Sequence, residues 1–485
     1  MDESDEWQPT LPEALLPVLF LVIALSSSVY LFGEDSSYGP NQIALFAASG
    51  LTLILTWRRG FKWAELERAM AESVGSTVNA ILILLVVGAL IGSWILSGTV
   101  PAMIYYGLLL IDPSAFYITA CVVCALSSLA IGSSWSTIGT VGLALVGMAG
   151  ALGLPLDITV GAIVSGAYFG DKMSPLSDTT NLAPAIAGGD LFTHIRHMMW
   201  TTFPAIAIAM AVYGLLGLGI EGRGDDQRLA TMLPVLKTQF SIGPHLLLPV
   251  CVTVFLAVRK VPALPAMMLT TVTGILFAFL FQREVMAAFA GGDGFGALVT
   301  AQWTVLFAGF EAQTGDQVLN ELLSRGGMSG MLTTVWLVIS AVTFGALLER
   351  LGLLQRLVAG ILASARSSGG LIVATVLSCI GTNIVAADQY ISIVVPGRAY
   401  RLEFRRRGLA PENLSRALED AGTVTSPLVP WNTCGAFIFG VVGVSAFVYA
   451  PYCFFNLISP VLSAIYGVVN FKIVRLPAPA SQAAG

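Results

Sequence analysis

Gly170-Asp171-Lys172-Met173-Ser174-Pro175-Leu176-Ser177-Asp178-Thr179-Thr180-Asn181 gathers three charges, a proline and a run of hydroxyl and amide side chains into one short stretch. Its surroundings make it unusual. From Val74 to Gly170 the only charged residues are Asp112 and Asp157, each near a proline at an expected helix start. Across all 485 residues, 56% are hydrophobic and 11% charged, with a mean hydropathy of +0.81. A water-soluble chain carries roughly a quarter charged residues, so most of this surface faces something other than water. The composition specifies a polytopic membrane protein.

Apolar runs long enough to cross roughly 30 Å of hydrocarbon are expected at 11–32, 41–57, 74–97, 200–221, 261–282, 330–348 and 451–471. Shorter or interrupted ones fall at 98–111, 115–153, 157–187, 244–258, 357–365, 367–400 and 412–445. Together they predict about ten to fourteen membrane segments. Basic residues collect in Arg58-Arg59-Gly60-Phe61-Lys62 and between Arg398 and Arg407, loops expected on the cytoplasmic side. The acidic start Met1-Asp2-Glu3-Ser4-Asp5-Glu6 has no basic region of the kind that opens a signal peptide. The polar stretch 223–243, with Asp225, Asp226, Arg228 and Lys237, reads as a connector between halves.

Other side-chain types exclude several function classes. A net charge of −5 argues against a nucleic-acid partner. Cys121 and Cys124 form a CxxC with no second ligand pair, so they read as packing residues. His194, His197 and His245 are too scattered for a histidine-built metal site, and the first two are expected in a polar turn at the membrane interface.

The chain repeats itself faintly. Ser174-Pro175-Leu176 recurs 252 residues later as Ser426-Pro427-Leu428, and Gly132 pairs with Gly381, 249 residues on. Gly92-Ser93-Trp94-Ile95-Leu96-Ser97-Gly98 is echoed by the stretch from Gly345 to Gly352. Paired interrupted segments in two halves are the sequence pointer to a transporter's binding site. In the second half, Asp388 is the only charge between Leu371 and Gly397, and Pro430 falls where Asp178 stands in the first. A carboxylate at bilayer depth costs about 2.5–3.5 kcal/mol on insertion scales, so it needs a partner, a watery cavity or a bound cation. Pro175 frees backbone carbonyls, and hard cations prefer carboxylate, carbonyl and hydroxyl oxygens. Asp178 and Asp388 are therefore the leading functional candidates. Lys172 reads either as a local ion pair with Asp171 or as a coupling group. Glu419 and Asp420 either reach the site or end a helix at the interface.

The run from Gly166 through Asp171, Ser174-Pro175-Leu176 and Asp178 to Pro184 resembles the NhaC family of Na⁺/H⁺ antiporters. So do Gly132-Ser133-Ser134-Trp135-Ser136-Thr137, Leu322-Leu323-Ser324-Arg325-Gly326-Gly327-Met328 and Ala387-Asp388-Gln389-Tyr390. The likeness continues from Gly408-Leu409-Ala410-Pro411-Glu412-Asn413 through Glu419-Asp420 to Asn432-Thr433-Cys434-Gly435-Ala436, and covers about residues 75 to 465. It implies a secondary transporter of the cytoplasmic membrane that expels Na⁺ against inward proton flow. The implied fold has two inverted repeats and moves as an elevator.

The expectation is then an all-α polytopic membrane protein with broken helices and re-entrant hairpins. Its halves are 1–222 and 223–485. Scaffold helices come first in each half, and mobile broken segments follow at 115–187 and 367–445. One ion site would combine Ser134, Thr137, Asp178, Thr179 and Asn181. A second would combine Asn383, Asp388, Thr425, Asn432 and Thr433, while Asp171, Glu419 and Asp420 join in proton coupling. No cofactor is expected beyond transported Na⁺ and H⁺, and no enzymatic activity. A homodimer is allowed. The family also contains malate/lactate exchangers and amino-acid carriers, for which Lys172 or Arg398 would anchor a carboxylate. An intramembrane aspartyl protease, the enzyme alternative for two buried aspartates, lacks its Tyr-Asp dipeptide here.

Overall fold

The computed structural model describes residues 7–57, 59–220, 226–259 and 261–476. The acidic start, Arg58 and Asp225 lie outside them. Among the described residues the chain is helical, with one isolated antiparallel bridge between Leu409 and Arg475. Eight helices are long and apolar enough to cross a membrane, or ten when two sharply bent pairs are counted as spans. That is the low end of the expected range, because several apolar runs become helices of only 10–17 residues. Leu215, Leu280 and Trp303 stand on outer faces, largely exposed, as lipid-facing residues do. The protein is a multi-pass membrane protein.

The longest helix, Trp63–Leu96, is the spine of one body. It packs against Ala263–Phe281, Leu332–Arg350 and Phe295–Ala308, with Pro40–Thr56 and Leu11–Phe32 outside. A second body is built from broken helices. In the first half these are Phe116–Ile131, Ser134–Thr137 with its continuation to Ala151, Leu156–Met173 and Asp178–Ala187. In the second they are Ser368–Val385, Gln389–Arg406, Pro411–Leu418 and Thr433–Val442.

The breaks recur in register, though not in the register of the sequence motifs. Left-handed residues fall at Gly98 and Gly352, at Gly132 and Ala387, and at Gly188 and Gly443. Asp178–Ala187 and Thr433–Val442 are both 10-residue helices starting 255 residues apart. Gly381, the expected partner of Gly132, lies inside the helix Ser368–Val385. The chain bends six residues later, at Ala387. By the same shift, Thr433 rather than Pro430 stands opposite Asp178. Short motifs slid out of register because serines and glycines recur in any membrane helix.

The connector is largely helical, and the basic stretch expected as a loop is not one. In the connector, Asp226–Gln239 is helical, and Met232, Leu236 and Phe240, spaced four apart, are buried. The basic run from Arg398 forms the end of the helix Gln389–Arg406, where cations suit the negative helix terminus.

Leu156–Met173 and Phe116–Ile131 make the closest helix pair. A Cβ on Gly166 would lie 2.1 Å from the Cys121 carbonyl oxygen, and one on Gly170 would lie 2.3 Å from that of Ala125. Cys121 and Cys124 are buried and unpaired here. Small residues let membrane helices touch at the backbone. Gly166→Leu should therefore cost about 1–3 kcal/mol or more through overpacking, seen as a lowered unfolding temperature in detergent. Gly50→Leu, with open space around it, should leave that temperature nearly unchanged, and equal behaviour of the two variants would refute the close contact.

Candidate functional site

Between the two bodies lies a cavity of about 770 Å³. Ser73, Ser76, Asn79 and Ile83 of the spine and Ala263, Ala266 and Met267 of a neighbouring scaffold helix form one wall. The opposite wall is made of helix breaks. Ser134, Asp178, Gln389 and Thr433 each begin a half-helix, and all four line the cavity. Three carboxylates are there: Asp171, Asp178 and Asp388. Among the described residues no lysine, arginine or histidine lines it.

Each acid is held by what the chain does locally. Asp171 is buried near the end of its helix, and its Oδ2 accepts from the Ser134 amide at 3.1 Å and the Ser134 hydroxyl at 2.6 Å. Its Oδ1 is buried with no protein donor. Asp178 is exposed to the cavity just after the Ser174-Pro175-Leu176-Ser177 break. Its Oδ1 accepts from the Thr179 amide at 2.9 Å. The Tyr390 hydroxyl, from the second half, donates to its Oδ2. Asp388 follows Ala387, whose φ of 56° belongs to a region that non-glycine residues enter at a cost of about 1–2 kcal/mol. It caps the next helix by accepting from the Ile391 amide at 3.0 Å.

The expected ion sets are only partly assembled. Ser134 and Asp178 share the cavity. Thr137 instead donates to the Ser133 carbonyl at 3.0 Å. Thr179 turns away and donates to Glu419 at 3.1 Å. Asn181 is exposed and donates to the carbonyls of Pro175 and Ser177. In the second set, Asp388 and Thr433 line the cavity while Asn383, Thr425 and Asn432 form a buried polar knot behind it. Asn383 donates to Thr425 at 3.0 Å and Asn432 donates to Asn383 at 3.1 Å. The two expected sites thus converge on one cavity. Sequence reasoning missed Tyr390, Gln389 and Trp135 as lining residues, along with the polar stripe Ser73, Ser76 and Asn79. That stripe was readable as three polar residues at helical spacing beside an apolar run.

A second charged cluster sits apart from the cavity. Lys172 does not pair with Asp171: it points the opposite way and forms a fully buried ion pair with Asp420, because consecutive helix residues do not share a face. Ser459 and Thr201 hydroxyls complete the Asp420 Oδ1 contacts, each at 3.0 Å. Glu419 is buried in the π-helical turn Glu419–Thr423. His194 and His197 lie in the first two turns of the helix Leu191–Leu218 and are buried, and His194 Nδ1 lies 2.8 Å from the Ser415 hydroxyl.

A sequence model of the Na⁺/H⁺ antiporter family matches residues 166–471. The chain belongs to that family. The Na⁺/H⁺ antiporter NhaC of Alkalihalophilus pseudofirmus is 38% identical, over 85% of this chain and 86% of its own length. The malate-2H⁺/Na⁺-lactate antiporter of Bacillus subtilis is 35% identical over 95% of this chain and 94% of its own. The arginine/ornithine antiporter ArcD of Halobacterium salinarum is 35% identical, covering 97% and 94%. The YdaH transporter structure from Alcanivorax borkumensis aligns over 95% of this chain and 99% of its own, with 13% identity and a TM-score of 0.37.

Asp171, Asp178, Asp388 and the Lys172–Asp420 pair all fall within the matched span of this family member. Removing one partner of a buried pair leaves an uncompensated charge, which costs about 3–5 kcal/mol. Lys172→Met alone should therefore strongly lower the unfolding temperature. Lys172→Met with Asp420→Leu should recover most of it, as the double-mutant cycle in thermal unfolding will measure. Equal losses in the single and double variants would refute a pairwise role.

Proposed function

We propose that this chain is a secondary antiporter, not an enzyme, that exchanges Na⁺ for H⁺ across the cytoplasmic membrane. One observation carries the proposal: three carboxylates meet in one cavity with hydroxyl and amide oxygens and no described cation. Such a site attracts a hard cation or a proton. Asp171, Asp178 and Asp388 hold the ion or the proton, with Ser134 and Thr433 supplying further oxygens. Both bind the same carboxylates, so the loaded carrier crosses with one or the other. Crossing empty, with its carboxylates charged, is disfavoured by the cost of moving net charge through hydrocarbon.

The movement belongs to the same proposal. The halves 1–222 and 223–485 act as inverted repeats, and the broken segments 115–187 and 367–445 carry the site past the scaffold as an elevator. The in-register breaks and the cavity between the two bodies support this arrangement. Glu419 and Asp420 act behind the site, through Thr179 and Lys172. A homodimer is part of the proposal. Exchange of organic acids is disfavoured: a substrate carboxylate finds no described cation in the cavity. Lys172 is engaged by Asp420, and Arg398 lies outside the lining.

Asp178→Asn should abolish Na⁺-driven proton movement in proteoliposomes while the protein still inserts and purifies normally. Exchange at wild-type rate in saturating Na⁺ would overturn the assignment. Ligand carboxylates must be deprotonated to bind a cation, so lowering the pH should weaken apparent Na⁺ affinity. Well below the governing pKa the loss is about tenfold per pH unit when one proton is displaced, and the maximum rate should change far less. A constant half-saturating Na⁺ concentration with a collapsing maximum rate would point to a separate pH sensor instead.

A further inference from the structure

The cavity is much larger than a sodium ion requires. At about 770 Å³ it falls within the range of roughly 300–1,000 Å³ occupied by small-molecule pockets, where a water takes about 30 Å³. Its chemistry is divided. The break wall is acidic, and it includes two aromatic rings, Trp135 and Tyr390. Trp135 is fixed by stacking on Phe437 with ring centres 4.3 Å apart, which holds the ring where it lines the cavity. The scaffold wall sets apolar Ile83, Ala263, Ala266 and Met267 beside the polar stripe Ser73, Ser76 and Asn79. A hydrated inorganic ion makes no use of an apolar wall or of a ring face. An organic cation uses both, together with a carboxylate that takes its N–H groups, and planar guanidinium does so bidentately. Asp171, only 5% exposed, keeps one oxygen without any protein donor.

We propose that the same cavity binds and carries small organic cations, guanidinium or primary ammonium compounds without a carboxylate, in exchange for protons. A free carboxylate on the substrate would meet the acidic wall with no described counter-charge, so simple cations fit better than zwitterions. This inference rests on the antiport reading of the site. It extends that reading to a second class of substrate, one that competes with Na⁺ for Asp178.

The test uses the purified full-length chain in proteoliposomes with an internal pH dye and an acid-inside gradient. Millimolar NaCl, guanidinium chloride or choline chloride is added outside. Guanidinium stays charged and does not cross lipid as a neutral base, so its signal reports the protein. The expected result is gradient dissipation by both Na⁺ and guanidinium, mutual competition between them, and loss of both signals in Asp178→Asn. Trp135→Leu should raise the half-saturating guanidinium concentration about fivefold or more beyond any change for Na⁺, whereas Trp135→Phe keeps the wild-type ratio. A working Na⁺ signal with no guanidinium signal overturns the inference and leaves the sodium reading standing. So does inhibition of Na⁺ exchange by guanidinium that is not itself moved. A guanidinium signal with no Na⁺ signal sinks the sodium reading and supports this one. Equal shifts for both cations in Trp135→Leu overturn the role assigned to the ring.

Discussion

Helix ends govern this structure, because an ionised carboxylate cannot be left bare in hydrocarbon and a continuous helix has no free donors to offer it. The chain meets this constraint by breaking its helices four times around one cavity. Ser133, Ser177, Asp388 and Asn432 each cap a half-helix, accepting from the backbone amide two or three residues on at 3.0–3.5 Å. Every break exposes unpaired amides at a positive helix end. Asp178 and Asp388 sit on two of those ends, and Asp171 borrows the amide of Ser134 at a third. The acids are placed where backbone dipoles can stand in for basic side chains, none of which lines the cavity among the described residues.

The same breaks tie the halves together. Tyr390 of the second half donates to Asp178 of the first. Thr179, one residue further on, donates to Glu419 of the second, and Lys172 pairs with Asp420. In the other direction, Phe437 on the second-half helix Thr433–Val442 stacks on Trp135 of the first. Residues from Asp171 to Thr179 therefore look in part into the cavity and in part into the buried ion-pair cluster. The 170–181 stretch carries so many polar residues because its two faces serve different partners, Ser134 and Tyr390 at the cavity and Glu419 and Asp420 behind it.

Much of this was legible before the fold was known. Asp178, Asp388, Asp171 and Ser134 stood out as polar groups in apolar surroundings, and all four reach the cavity. Proline and glycine marked most of the breaks. What the sequence hid were pairings across more than 200 residues: Tyr390 with Asp178, and Lys172 with Asp420. No local pattern encodes such contacts, so the neighbour Asp171 looked like the natural partner of Lys172. Register failed for a related reason. Gly132 bends the chain with the left-handed conformation glycine adopts freely, whereas the left-handed residue 255 positions on is Ala387, which no glycine pattern reveals. Thr137, Thr179 and Asn181 carry hydroxyl and amide groups, yet each donates to a carbonyl or carboxylate and none lines the cavity.

Charge counting then argues for a single exchangeable occupant. Each helix N-terminus contributes roughly half a positive charge, and four of them meet at this cavity. Against three ionised carboxylates they leave a deficit of about one charge. One sodium ion, one organic cation or one proton on an aspartate removes that deficit, and each does so only in the absence of the others. In the proposed elevator movement the neutral assembly would shift against the scaffold wall, whereas the unfilled one would carry net charge across hydrocarbon. Competition at one electrostatic vacancy is thus sufficient for obligatory exchange. It requires no messenger between separate sites, which agrees with the convergence of both halves' acids on one cavity.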